Sequence, residues 1–112
     1  MEQLREIVFF GDYFEKFYAL QTFKVKEKID YVFFFITHAE RIPAKFLKHM
    51  EGEKGLYEIR VDAGGNIFRI FCCLDRDRII VLFNGFQKMT PKTPKMEIQL
   101  ATRLMKEYYA TK

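Results

Sequence analysis

A chain of 112 residues has room for one real hydrophobic core but not for a separate regulatory module, and its 49% hydrophobic and 30% charged residues exclude a disordered chain. The net charge of +4 is uneven: residues 1–53 hold 8 Lys/Arg against 9 Asp/Glu, whereas residues 54–112 hold 11 against 6, which favours an anionic partner for the second half. No apolar run approaches the roughly 18 residues of a membrane span, and Met1-Glu2-Gln3-Leu4-Arg5-Glu6 lacks the layout of a signal peptide, so one cytoplasmic domain without membrane contact is expected.

Arg5 to Phe10 is a short Ile/Val/Phe run that stops at Gly11 and reads as a strand. Asp12-Tyr13-Phe14-Glu15 has the spacing of a capping box and opens a brief helix ending near Leu20. Thr22 caps a second, longer helix, in which Val25, Ile29, Val32, Phe33 and Ile36 recur at helical spacing. Its last turns, Tyr31 to Ile36, are apolar all round, which implies either burial on two sides or a surface for a partner. His38 to Lys54, with Pro43 and mixed charges, reads as a loop with at most one helical turn, and His38 and His49 as surface residues.

Three strand-like runs follow, Leu56 to Val61, Ile67 to Leu74 and Arg78 to Lys88, separated by Asp62-Ala63-Gly64-Gly65 and Asp75-Arg76-Asp77, and they predict an antiparallel meander. Adjacent Cys72 and Cys73 fall on opposite faces of a strand and imply no disulfide. Thr93-Pro94 reads as a cap with proline at the first helical position, and Ile98, Ala101, Leu104 or Met105, and Tyr108 carry the final helix. The predicted order is β-α-α-β-β-β-α.

Alternation sorts the meander into two faces. A four-residue turn at 62–65 sets Arg60 opposite Ile67 and Glu58 opposite Arg69, and a turn centred on Arg76-Asp77 sets Arg69 opposite Asn84. One face then reads Tyr57, Ile59, Val61, Phe68, Ile70, Cys72, Leu74, Ile79, Val81 and Phe83, without charge, and is expected to meet the helices. The other carries Leu56, Glu58, Arg60, Ile67, Arg69, Phe71, Cys73, Ile80, Leu82, Asn84, Phe86 and Lys88, its charges gathered at one end. Taken singly, Arg60 and Arg69 are a solvated cation and half of an ion pair with Glu58. Taken together with Lys88, Asn84, Phe86 and nearby Lys92, they suggest a phosphate-binding patch: arginine offers a planar fork, lysine a mobile charge, an aromatic ring a stacking surface. The sequence holds no Cys/His set with metal spacing, no glycine-rich phosphate loop and no nucleophile elbow.

Leu56-Tyr57-Glu58-Ile59-Arg60, Phe68-Arg69-Ile70, Ile80 to Lys88 with its Gly85-Phe86-Gln87-Lys88 end, and Lys92-Thr93-Pro94 before a final helix together resemble the phage-derived HigB-like branch of the RelE/ParE toxin superfamily. The resemblance is close over residues 54–108 and architectural before them. It implies an α+β fold, a RelE-like small antiparallel sheet with two N-terminal helices and a C-terminal helix, and the toxin of a type II toxin-antitoxin pair. It implies an endoribonuclease that cuts messenger RNA on the ribosome without cofactor or metal, with a helix-turn-helix antitoxin as partner.

By the same resemblance Arg60, Arg69 and Lys88 are catalytic, clamping phosphate and stabilising the transition state, and Lys92 contacts RNA or the ribosome; Asn84 joins the RNA-binding patch, and Phe86 either stacks a base there or is buried against Ile67. Met89, Pro91 and Met96 depart from the family pattern by removing polar or basic groups. Tyr31 to Ile36 and Tyr108-Tyr109 are candidate antitoxin contacts, with core packing the expected role of at least half of them. Two alternatives stand beside this reading: a ParE-like inhibitor of DNA gyrase, and an attenuated remnant that binds nucleic acid or antitoxin without cleavage.

Overall fold

The computed structural model describes residues 2–112, in which three helices surround a five-stranded mixed sheet, consistent with a RelE-like α+β fold. In chain order the elements are β1 (Glu6–Phe9), α1 (Tyr13–Ala19), α2 (Phe23–His38), β2 (Leu47–His49), β3 (Tyr57–Ala63), β4 (Asn66–Asp75), β5 (Ile79–Lys88) and α3 (Lys95–Ala110). The sheet order is β1-β5-β4-β3-β2. β1 runs parallel to β5 and the other pairs are antiparallel, so the expectation of an all-antiparallel sheet is corrected at one edge. β2, inside the segment expected to be a loop, is the other correction. At three residues, with Lys48 and His49 exposed, it is too short to show alternation, and a short charged strand is what a protected sheet edge tolerates.

α2 forms as its pattern predicts. Thr22 adopts an extended backbone and its hydroxyl accepts from the Val25 amide at 3.3 Å, satisfying one orphan donor. Val25, Ile29, Val32 and Ile36 then line the buried stripe. Its C-terminal carbonyls are closed by Arg5, whose guanidinium donates to Ile36 O at 3.0 Å, Ala39 O at 2.7 Å and Glu40 O at 2.9 Å. The other two predicted caps are absent. Asp12 makes no side-chain cap and instead pairs with Lys16 at 3.1 Å, and Pro94, not Thr93, occupies the N-cap of α3.

Helices cover both faces of the sheet. α1 and α2 pack on Ile59, Val61, Phe68, Ile70, Cys72, Ile80 and Leu82, while α3 packs through Ala101 and Leu104 on Leu56, Phe71, Cys73, Val81, Phe83 and Phe86. The predicted faces of β3 and β4 hold, and Cys72 and Cys73 are free and buried on opposite sides. Those of β5 do not.

Gly64 and Gly65, with φ of +58° and +81°, make a two-residue turn, so Ala63 pairs with Asn66 and Arg60 with Arg69. At the next turn Arg76 and Asp77 both have positive φ, and Arg78 is an extra residue that moves Asp75 opposite Ile79. This extra residue sends Ile80 and Leu82 to α1 and α2 and turns Ile79, Val81 and Phe83 toward α3. A bulge then adds one residue to β5 at Phe83-Asn84, between the Cys72–Leu82 and Ile70–Gly85 pairs, and restores the predicted face for Phe86 and Lys88.

At the far end of the sheet the Tyr108 hydroxyl donates to the buried Asp75 carboxylate at 2.6 Å, and Lys112 Nζ contacts the same oxygen. Hydrogen bonds from Lys112 and Tyr108 hold the Asp75 carboxyl below its usual range, and Asp75 in turn raises both partners.

Candidate functional site

α3 begins beside Asn84 and runs back toward Asp75, leaving the Gly64-Gly65 end of the sheet outside its cover. Two rows of residues cross that end on the α3 side. One is Arg60, Arg69, Phe86, and the next is Asp62, Ile67, Lys88. The two arginines are therefore directly opposed, a pairing that costs energy unless anions lie between them. Alternation supplies those anions, because Glu58 and Asp62 sit on either side of Arg60 on the same face of β3 and each is diagonal to Arg69.

Arg69 is gripped on three sides. Its Nε lies 3.2 Å from Glu58 Oε2, its Nη1 lies 3.6 Å from Asp62 Oδ1, and Nη1 also donates to its neighbour Phe68 O at 3.0 Å. The Glu58 contact is close but poorly aligned, so Nε and Oε2 are both buried without a directed hydrogen bond and attract mainly as charges. Side-chain exposure is 7% for Arg69, 11% for Glu58 and 77% for Asp62, so the first pair is interior and the second is at the surface. The expected Glu58–Arg69 pair exists, but diagonally and buried, and Arg69 is not the open phosphate fork that its sequence position suggests.

Arg60 is half-buried, and its Nε is buried without a hydrogen-bond partner among the described residues. Its backbone amide donates to Phe46 O at 2.8 Å, fixing the strand from the β2 side. Lys88 is half-buried at the end of β5 and Lys92 is exposed, in a segment shaped by the Thr90 hydroxyl donating to Lys92 O at 2.9 Å. Phe86 is buried with its ring 5.6 Å from Phe71, as a wall of the sheet core rather than a presented stacking surface. Asn84 turns into the bulge, where its amide donates to Glu97 O at 3.1 Å and Glu97 Oε1 at 2.9 Å, tethering the first turn of α3.

The sheet thus brings together Arg60, Arg69 and Lys88, leaves Lys92 on the neighbouring segment, and uses Phe86 and Asn84 for packing and anchorage. Asp62 is the residue that sequence reasoning passed over as part of a turn. Its signal was the two-residue spacing from Arg60, which places both on one face once the glycines alone make the turn. Behind that turn lies an open hollow of about 560 Å³ bordered by Lys24, Lys28, Tyr31 and Asp62. Among the described residues no three His, Cys, Asp or Glu side chains converge as a metal-ligand set, and no helix is long and apolar enough to cross a membrane.

A profile of the family described as phage-derived Gp49-like proteins (DUF891) matches residues 16–106, a span that includes every member of this cluster. No curated protein matches the chain. The match covers most of the chain's length, from α1 through the greater part of α3, and the chain belongs to the phage-derived Gp49-like family, a toxin-like family of the RelE/Gp49 type.

Proposed function

We propose that this protein is the toxin of a bacterial type II toxin-antitoxin pair of the HigB-like kind, an endoribonuclease that acts on messenger RNA at the ribosome. The observation that carries the reading is the open sheet end where Arg60 and Lys88 flank an Arg69 already oriented by Glu58 and Asp62. Cleavage of an RNA backbone by its own 2′-hydroxyl asks little covalent chemistry of a protein. The 2′-oxygen attacks the adjacent phosphorus, the bond to the 5′-oxygen breaks, the 2′-proton passes to solvent or a nearby base, and the leaving oxygen gains a proton. The pentavalent centre carries an extra negative charge, and fixed cations placed before reaction stabilise it without reorganisation cost. Arg60 and Arg69 take the phosphate oxygens, Lys88 adds a further contact beside the leaving group, and Lys92 meets the RNA or ribosome surface.

The partner in this reading is a helix-turn-helix antitoxin in the same cytoplasm. Tyr31 and Phe34 on the outer face of α2, each 52% exposed, and Tyr109 at the end of α3 are its contacts. The test is induction of Arg60→Ala and Lys88→Ala in cells and in a reconstituted translation assay. Both variants should lose growth arrest and messenger cleavage by about a hundredfold, and full cleavage by either would overturn the site.

One observation favours a second reading, binding without cleavage. Arg69 is neutralised by two carboxylates, and Met89 stands 78% exposed just past Lys88. Salt-sensitive RNA binding by the unaltered protein, with messenger intact and growth unaffected, would select that reading. Gyrase inhibition with intact messenger would select the ParE-like one.

A further inference from the structure

The two carboxylates on Arg69 are not equivalent. Glu58 is buried, and among the described residues its Oε2 is paired with Arg69 alone, so it stays with Arg69 whatever binds at the surface. Asp62 reaches Arg69 from the solvent edge, at 3.6 Å, with its side chain 77% exposed. A loose, exposed ion pair is a weak tie. It sits diagonal to Arg69, two residues from Arg60, and in the same cross-strand row as Lys88, roughly 10 Å away by strand spacing.

We infer that the Asp62 carboxylate holds the place of a substrate phosphate on Arg69, and that a backbone phosphate of single-stranded RNA displaces it to be gripped by Arg69, Arg60 and Lys88 together. This rests on the reading of the sheet end as an RNA site. The physical grounds are competition and geometry. A phosphate accepts charge-assisted hydrogen bonds from a guanidinium at shorter range than the 3.6 Å contact, and it remains ionised and multiply accepting when it leaves water. Asp62, once released, returns to solvent at little cost because it is already exposed, while Arg69 keeps Glu58 and so never becomes an unpaired buried charge. Arg69 thus has a permanent ligand on the inside and an exchangeable one on the outside. The carboxylate also lowers the affinity of the empty site for stray anions, so that only a ligand also meeting Arg60 and Lys88 displaces it.

The discriminating variant is Asp62→Asn, compared with Asp77→Asn, which removes the same charge at the opposite end of the sheet on a residue whose positive φ asparagine tolerates. Binding of a fluorescein-labelled single-stranded 12-nucleotide RNA is followed by anisotropy in low salt, with thermal unfolding recorded for each protein. Asp62→Asn should bind roughly three- to fivefold more tightly than the unaltered protein, and Asp77→Asn should change affinity by less than about twofold. Equal gains in the two variants, or none in Asp62→Asn while the unaltered protein binds, would overturn the exchange and leave the RNA site standing. No RNA binding by any of the three would remove the RNA site and the exchange with it. A second readout is the Arg69 side-chain NMR signal, which should shift on RNA addition; an unmoved signal with RNA bound would also overturn the inference.

Discussion

Arg60 and Arg69 face each other across β3 and β4, yet their guanidinium groups answer to different demands. Arg69 neutralises a buried carboxylate, so Arg69→Ala should destabilise the fold by about 3–5 kcal/mol, read by urea unfolding, because Glu58 would stay buried without a counter-charge. Loss of activity in that variant is therefore expected with loss of structure. Among the described residues Arg60 makes no ion pair, and Arg60→Ala should cost about 1 kcal/mol or less while flattening the salt dependence of RNA binding by about 0.7 in the log–log slope, the share of one phosphate contact on a single strand. An unchanged slope would mean that Arg60 does not touch the backbone. At this scale the sequence was legible in residue type and face: alternation alone put Arg60, Arg69 and Lys88 together. It was not legible in pairing. The choice between a four-residue and a two-residue turn rests on the φ values of Gly64 and Gly65, and that choice decides whether Glu58 or Arg60 stands opposite Arg69.

Among the elements, β5 shows how two departures from regularity can hide each other. Arg78 enters as an extra residue and inverts the strand, and the Phe83-Asn84 bulge inverts it back, so the site end of β5 obeys simple alternation and its middle does not. No side chain in Ile79 to Phe83 records this, because both faces of the sheet are apolar there and either assignment buries hydrophobic groups. β2 escaped notice for a different reason, since its pairing to β3 comes from the edge that β3 offers rather than from its own three residues. The long helices, by contrast, carry enough turns for periodicity to declare them. Gly85, just past the bulge, lets Phe17 of α1 lie against the sheet, and a Cβ there would come within 2.6 Å of the ring. Gly85→Ala should therefore lower stability by about 1–3 kcal/mol, seen as a lower midpoint in urea. Combining it with Phe17→Leu should recover part of the loss; no recovery would place the strain elsewhere.

For the whole molecule, the Asp75, Tyr108 and Lys112 contacts join the end of α3 to the turn between β4 and β5, and their titration sets the pH limits of that junction. Asp75 has a folded pKa below its ordinary 3.8, so its contribution is present above about pH 4 and is lost as pH falls through the lowered value. Tyr108 and Lys112 are raised, so their contributions are present below their ordinary values near 10 and are lost as pH rises through the raised ones. The stability difference between the unaltered protein and Asp75→Asn should accordingly be constant across neutral pH and shrink below about pH 4. Thermal unfolding at pH 7, 4 and 2.5 measures it, and a difference that persists undiminished at pH 2.5 would show that the charge of Asp75 is not what binds α3.

The parallel pairing of β1 with β5 sets a timetable for a chain emerging from a ribosome. Glu6 to Phe9 are made before every other strand of the sheet, yet their partners, Ile79 to Leu82, arrive only after α1, α2 and three further strands have been synthesised. Until then β1 is an apolar segment with no strand to join, and the hairpins β3–β4 and β4–β5, which need only local turns, are free to form without it. Within the sheet the longest-range closure is thus between its first strand and its last. A protein whose proposed target is the translating ribosome would close the β1 edge of its own sheet only after the other strands have been made on one.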